Sequence, residues 1–207
     1  MPTDTFHRLP EEKKQKLIDA AYEEFSNVPY AEASINAIIA NAGISRGSFY
    51  MYFEDKEDIF KYLLVHHNQK FRECTIEAFS EHDGELFSSF EALFDKIINY
   101  LNQKEHQKFL KQVFTNMNSR QEEFIIPHRD HCHRNKKLIE ILKLVNPKNL
   151  TVETEEELLA VLDIIFPITV HTIIMASIGD ITKEEAKKMY LQKLKLLKEG
   201  IERREVC

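Results

Sequence analysis

Apolar residues recur along this chain at the three-and-four spacing of helices, and no segment shows the strict alternation of a half-buried strand. Leu17, Ala21 and Phe25, with Ile18, mark a first helix. It opens at Pro10, where a missing N–H is tolerated, and ends near Asn27. Val28-Pro29-Tyr30 breaks it, because the residue before a proline avoids the α region. Ser34 is then the N-cap of a second helix, with Ile35, Ile38, Ile39 and Ala42 on its inner face. Gly43 falls where a helix end needs a left-handed residue, Ile44 plugs the core, and Ser45 caps a short third helix that starts at Arg46. Phe49 and Phe53 lie four apart and face inward, which leaves Arg46, Gly47, Ser48, Tyr50 and Tyr52 on the remaining surface. Asp55 with Asp58 forms an N-cap pair for the next helix, whose stripe is Ile59, Phe60, Leu63, Leu64 and Phe71.

The pattern stays helical beyond this point. It predicts helices over 56–80, 85–104, 106–118, 121–145, 154–178 and 183–204, with breaks at His82-Asp83-Gly84, near Ser119, at Asn146-Pro147-Lys148-Asn149, and at Gly179-Asp180 before a Thr182-x-x-Glu185 capping box. The class is all-α, with about nine helices and no internal repeat. The five Gly and six Pro in 207 residues agree, since a turn-rich β fold needs more of both.

Composition narrows the setting. Hydrophobic residues at 43% and charged residues at 30% describe a globular chain. Cys74, Cys132 and Cys207 are far apart and odd in number, which gives no disulfide framework and fits a reducing cytoplasm. The polar stretch from Met1 to Lys16 lacks the apolar core of a secretory signal. The one membrane-like run, 158–179, is interrupted by Asp163, Pro167 and His171 and reads as a buried interface helix, so no membrane partner is expected. The net charge of −6 argues against a generic nucleic-acid binder, and residues 1–56 hold six basic against nine acidic side chains.

Against that charge stands one constellation. A helix, a tight turn and a second helix over Ser34–Phe53 have the layout in which one helix braces another for insertion into a major groove. The run Gly43-Ile44-Ser45-Arg46-Gly47-Ser48-Phe49-Tyr50-Met51-Tyr52-Phe53-Glu54-Asp55-Lys56 closely resembles the signature of the TetR family of transcriptional repressors. The motif covers about the first quarter of the chain, and the C-terminal part matches the family only in its succession of helices. The resemblance implies a helix-turn-helix DNA-binding domain over 1–55 and an effector-binding and dimerisation domain over 56–207. It also implies that Ser45, Arg46, Gly47, Ser48, Tyr50, Tyr52 and Lys56 touch DNA. Their chemistry suits the role: Ser45, Ser48, Tyr50 and Lys56 carry donors for phosphate oxygens, Arg46 can pair with a guanine, and Gly47 allows close backbone approach. Ser34 and Asn36 at the start of the bracing helix offer a flanking phosphate or base contact. Ile39 departs from the pattern, standing where the family often has a small alanine.

The rest of the expected function concerns the body. Ala186, Tyr190, Leu194, Leu197 and Ile201 form a stripe on the last helix, and the helix before it is apolar around most of its circumference. In the resembled family these two helices form a twofold interface. A homodimer would place two reading helices about 34 Å apart on a near-palindromic operator. An apolar small-molecule effector would lie among Phe90, Phe94, Phe114, Met117, Phe124, Phe166 and Met175, with His128 or His171 as polar handle and Pro167 opening a kink. No cofactor is expected. The residues show no nucleophile elbow, phosphate-cradling loop or zinc-peptidase helix, so the reading is a regulator and not an enzyme. The alternative is a helical metal-binding sensor or enzyme centred on His128, His131 and His133, with Cys132 between them.

Overall fold

The structure, a computed structural model, describes residues 2–101, 104–116 and 136–201. Ten α-helices and no strand occur among them. In chain order these are α1 (Asp4–His7), α2 (Glu11–Asn27), α3 (Ile35–Ala42), α4 (Arg46–Tyr52), α5 (Lys56–Glu81), α6 (Leu86–Leu101), α7 (Lys104–Asn116), α8 (Lys136–Leu142), α9 (Glu155–Ile178) and α10 (Lys183–Ile201). A single 3₁₀ turn, Pro147–Asn149, precedes α9. The chain forms two compact units, one from Met1–Lys70 with Gln103–Pro127, the other from Phe71–Asn102 with His128–Cys207.

In the first unit α2 packs against α3 and α7, and α4 against α1 and α3. Leu17, Ala21 and Phe25 are buried as their spacing predicts, while Ile18 is half-buried. Asp55 and Asp58 do start α5: the Asp58 N–H donates to Asp55 Oδ1 at 2.8 Å, and Asp58 Oδ2 reaches back to accept from the Glu54 N–H at 3.2 Å. Three expected core residues sit further out, since Ile35, Ile39 and Ile44 are all half-buried. A two-turn helix presents only a narrow arc to the core, which Ile38 and Ala42, four apart, occupy, and Ile44 lies in the turn beyond its end.

Helix α1 is absent from the periodicity, being too short to show any. Thr3 caps it, and Phe6 is its single buried residue. The Phe6 ring lies 4.9 Å from Phe53 and 5.3 Å from Tyr62, while the Thr3 N–H and hydroxyl donate to the carbonyls of Tyr52 (3.0 Å) and Met51 (2.6 Å). Those carbonyls end α4 and would otherwise lack a partner.

In the second unit α6 and α8 pack on α9, and α6 also packs on α10. Two capping boxes start the last two helices: Thr154 with Glu157, and Thr182 with Glu185 as anticipated. Tyr190 is wholly buried, stacked on Phe94 at 4.5 Å, and its hydroxyl meets Thr169 Oγ1 (2.8 Å) and the Phe90 carbonyl (3.2 Å). Gly84, at φ +75°, joins α5 to α6 where an added Cβ would fall 2.4 Å from the Leu144 carbonyl oxygen. By length and apolarity α9 could cross a membrane, but ten of its residues are buried within the unit. It runs as one helix through Pro167. Of the helix expected over 121–145, the described part is α8; of the stripe on α10, Ala186, Tyr190 and Leu194 are buried and Leu197 is half-buried.

Candidate nucleic-acid interface

The geometry of α3 and α4 follows from three capping positions. Ser34 Oγ accepts from the Asn36 N–H at 3.2 Å, and the Ser34 N–H is itself held by Glu24 Oε1 at 2.8 Å. Gly43 takes φ +66° and closes α3, its N–H on the Ala40 carbonyl and that of Ile44 on the Ile39 carbonyl. Nothing lies within 4 Å of a Cβ added at Gly43, so conformation and not space calls for glycine there. Ser45 then caps α4, accepting from the Ser48 N–H at 3.1 Å while the two hydroxyls meet at 2.8 Å. Phe49 and Phe53 are fully buried and fix which face of α4 points out.

On that outer face the expected residues come together. Asn36, Ser45, Arg46, Gly47 and Tyr50 are exposed, and Ser34, Ser48 and Tyr52 are half-buried. Arg46 bridges the turn: Nη1 donates to Asn36 Oδ1 at 2.9 Å, Nη2 donates to the Tyr50 hydroxyl at 3.2 Å, and the guanidinium carbon lies 5.6 Å from the Tyr50 ring centroid. A planar fork held at two points keeps its direction, and three of its five donors are left for a ligand. Met51, 58% exposed, belongs to the same face although its apolar character hid it from the sequence reading.

The acidic charge of the chain is unevenly distributed. Between Ser34 and Phe53 the only formally charged side chain is Arg46; the acids of residues 1–56 all lie in 4–32 and 54–55. The outer face of α3 and α4 therefore offers hydroxyls, an amide and one cation, with no carboxylate of its own. Gly47 adds an independent sign. A Cβ there would meet nothing closer than Ser45 Oγ at 3.8 Å, and a helical glycine costs roughly 0.5–1 kcal/mol against alanine. Among the described residues no packing asks for it; close approach from outside would.

Lys56 is placed differently from the rest. Its ammonium donates to three carbonyls of the α2–α3 connection, Tyr30 (2.7 Å), Ala33 (2.9 Å) and Ala31 (3.2 Å), and sits 4.7 Å from the Tyr30 ring centroid. With Glu32, Ala33, Ser34, Ile35, Asn36 and Arg46 it lines an open concavity beside the reading face.

The expected effector residues are more scattered. Phe90 and Phe94 are buried, the first against Phe79 and the second against Tyr190, whereas Phe166 and Met175 are half-buried and His171 is exposed. The side chain of Phe114, and Met117, Phe124 and His128, lie outside the described residues, as do His131, Cys132 and His133. Among the described residues no group of three His, Cys, Asp or Glu side chains is placed to hold a metal ion.

Comparison with known proteins agrees with this geometry. The profile described as "Bacterial regulatory proteins, tetR family" matches residues 17–63, and that of the tetracyclin repressor-like C-terminal domain matches 85–201. An HTH-type transcriptional regulator of Bacillus subtilis, YdgC, is 36% identical over 64 residues, 31% of this chain and 33% of its own. The HTH-type transcriptional regulator AcrR of Shigella flexneri is 23% identical over 103 residues, 50% of this chain and 48% of its own. The chain thus spans half or less of the length of these curated relatives. A TetR-family transcriptional regulator from Streptomyces coelicolor shares the fold, with a TM-score of 0.67 at 16% identity over 95% of this chain and 93% of that one. Since the C-terminal profile alone covers more than half of the sequence and the N-terminal one covers α3 and α4, this chain belongs to the TetR family.

Proposed function

We propose that α4 enters the major groove of an operator while α3 braces it, with Arg46 reading a guanine and Ser34, Asn36, Ser45, Gly47, Ser48, Tyr50 and Tyr52 completing the contact. The observation that carries this is the Arg46 guanidinium, oriented by Asn36 and Tyr50 on two helices that carry no acid. Hydroxyl groups and the open backbone at Gly47 serve phosphates, which set register, and the oriented guanidinium serves specificity. The functional division remains 1–55 for reading and 56–207 for response.

The active species in this reading is a cytoplasmic homodimer joined through α9 and α10. Supporting it, Ile164 on α9 and Met189 and Leu196 on α10 are large apolar side chains left 49%, 44% and 65% exposed. A twofold axis brings two copies of α4 about one DNA turn apart and so requires a near-palindromic operator. A small, largely apolar effector held in the helical body shifts α5 and respaces the reading heads, releasing a repressor. A coupling of about 1–3 kcal/mol would lower operator affinity roughly 5–150-fold. Phe166 and Met175, half-buried, and His171, exposed, are the described candidates with surface to offer such a ligand.

Selection of duplexes from a random pool tests the reading. The wild-type chain is expected to enrich an inverted repeat, and Tyr50→Ala to lose it while staying folded. Enrichment of the same repeat by Tyr50→Ala would remove that residue from the contact, and no enrichment by the folded wild type would remove the function.

A further inference from the structure

We propose that Lys56 is a positioning residue that fastens the α2–α3 connection behind the reading face, and that it does not bind a DNA phosphate. This rests on the assignment of α3 and α4 as the DNA interface and departs from the phosphate contact that the family signature implies for it. An ammonium carries three N–H donors and no acceptor. Lys56 places them on the carbonyls of Tyr30, Ala31 and Ala33, within 3.2 Å in every case. The Tyr30 ring adds a cation–π contact at 4.7 Å, and that ring is fixed in turn by Phe60 at 4.8 Å and by stacking on Phe25. To reach a phosphate the ammonium would have to leave all of these. Glu32, exposed in the same concavity, would also set a carboxylate beside any anion there.

What the connection positions explains its fastening. Ala33 leads directly into Ser34, which caps α3, and Asn36 two residues on holds the Arg46 guanidinium. Glu24 restrains the same point from the other side through the Ser34 N–H. The chain of contacts therefore runs from the first residue of α5, through the carbonyls of residues 30–33, to the cap of the bracing helix and on to the arginine of the reading helix. Its sequence signal is weak, because a lysine opening a helix after an aspartate looks like any solvated charge.

Two substitutions in the intact chain, Lys56→Gln and Lys56→Arg, separate the roles. Without DNA, hydrogen exchange at the amides of Glu32, Ala33, Ser34 and Asn36 is expected to quicken at least tenfold in both variants, while amides of α7 are unchanged. An arginine keeps the charge, but its planar fork cannot converge on three carbonyls as a point charge does. With the duplex that the wild type selects from a random pool, both variants should bind at least tenfold more weakly at every salt concentration, with the slope of log K against log salt unchanged. A lost phosphate contact would instead lower that slope by about 0.9 per protomer in Lys56→Gln and leave Lys56→Arg near wild type. That outcome, or unchanged exchange at residues 32–36, overturns the proposal. Should the wild type select no duplex, the DNA reading of α3 and α4 fails, and the exchange measurement alone decides whether Lys56 fastens the connection.

Discussion

Gly47 is exposed on α4, a helix whose other residues all carry side chains. A helical glycine with free space around its missing Cβ is a place where stability and function should part company. Gly47→Ala is expected to raise the unfolding free energy by roughly 0.5–1 kcal/mol and at the same time to weaken operator binding, because in the proposed contact the added methyl stands in the way of the approaching sugar-phosphate backbone. Thermal unfolding and a titration with the selected duplex measure the two effects; a variant that is stabilised and binds normally would take Gly47 out of the interface. At this scale much was legible. Ser34, Ser45 and Gly43 could be assigned from the chemistry of caps and turns, which is local. The engagement of Lys56 could not, because the carbonyls it meets are 23 to 26 residues away and nothing in its neighbours announces them.

Among elements, α2, α5 and α7 meet at an unusual cluster. Tyr22, His67, His106 and Phe109 form one aromatic contact group, with the His67 ring stacked on Phe109 at 5.2 Å and 5.1 Å from that of His106. Burial lowers the pKa of His67 from 6.5 to about 3, with repulsion from His106 and His66 adding to it. The unfolded chain takes up a proton below its ordinary value and the folded chain resists until about pH 3, so stability falls as pH drops through that window, by up to about 1.4 kcal/mol per pH unit. Urea unfolding at pH 7 and pH 5 should show this loss in the wild type and a smaller loss in His67→Phe, which keeps the stack; equal losses would mean that His67 does not titrate as described. Helix existence and most boundaries were legible from periodicity, since an amphipathic stripe is a property of consecutive residues. The four-residue α1 was not, and neither was its clamp on the last carbonyls of α4, a contact 48 residues apart in the chain.

For the whole molecule, the distribution of charge matters more than its sum: a net charge of −6 coexists with helices α3 and α4 whose one charge is positive. Charge of one sign over the whole chain repels DNA weakly through salt, whereas the contact is decided within a few ångströms. The proposed dimer can be tested through α10. Leu196→Glu puts a charge on the most exposed apolar side chain of α10 and should yield a folded monomer by sedimentation with much weaker duplex retention; a dimer that survives it, or a wild type that is itself monomeric, would contradict the assigned interface. The role proposed for Arg46 is to read a guanine edge from the major groove. Methylation interference on the selected duplex tests it most directly, because a methyl at guanine N7 blocks that edge and no other. Strong interference is expected at one guanine in each half-site with the wild type, and is expected to disappear with Arg46→Ala. Interference confined to adenine N3 in the minor groove, or guanine interference that persists unchanged in Arg46→Ala, would contradict it.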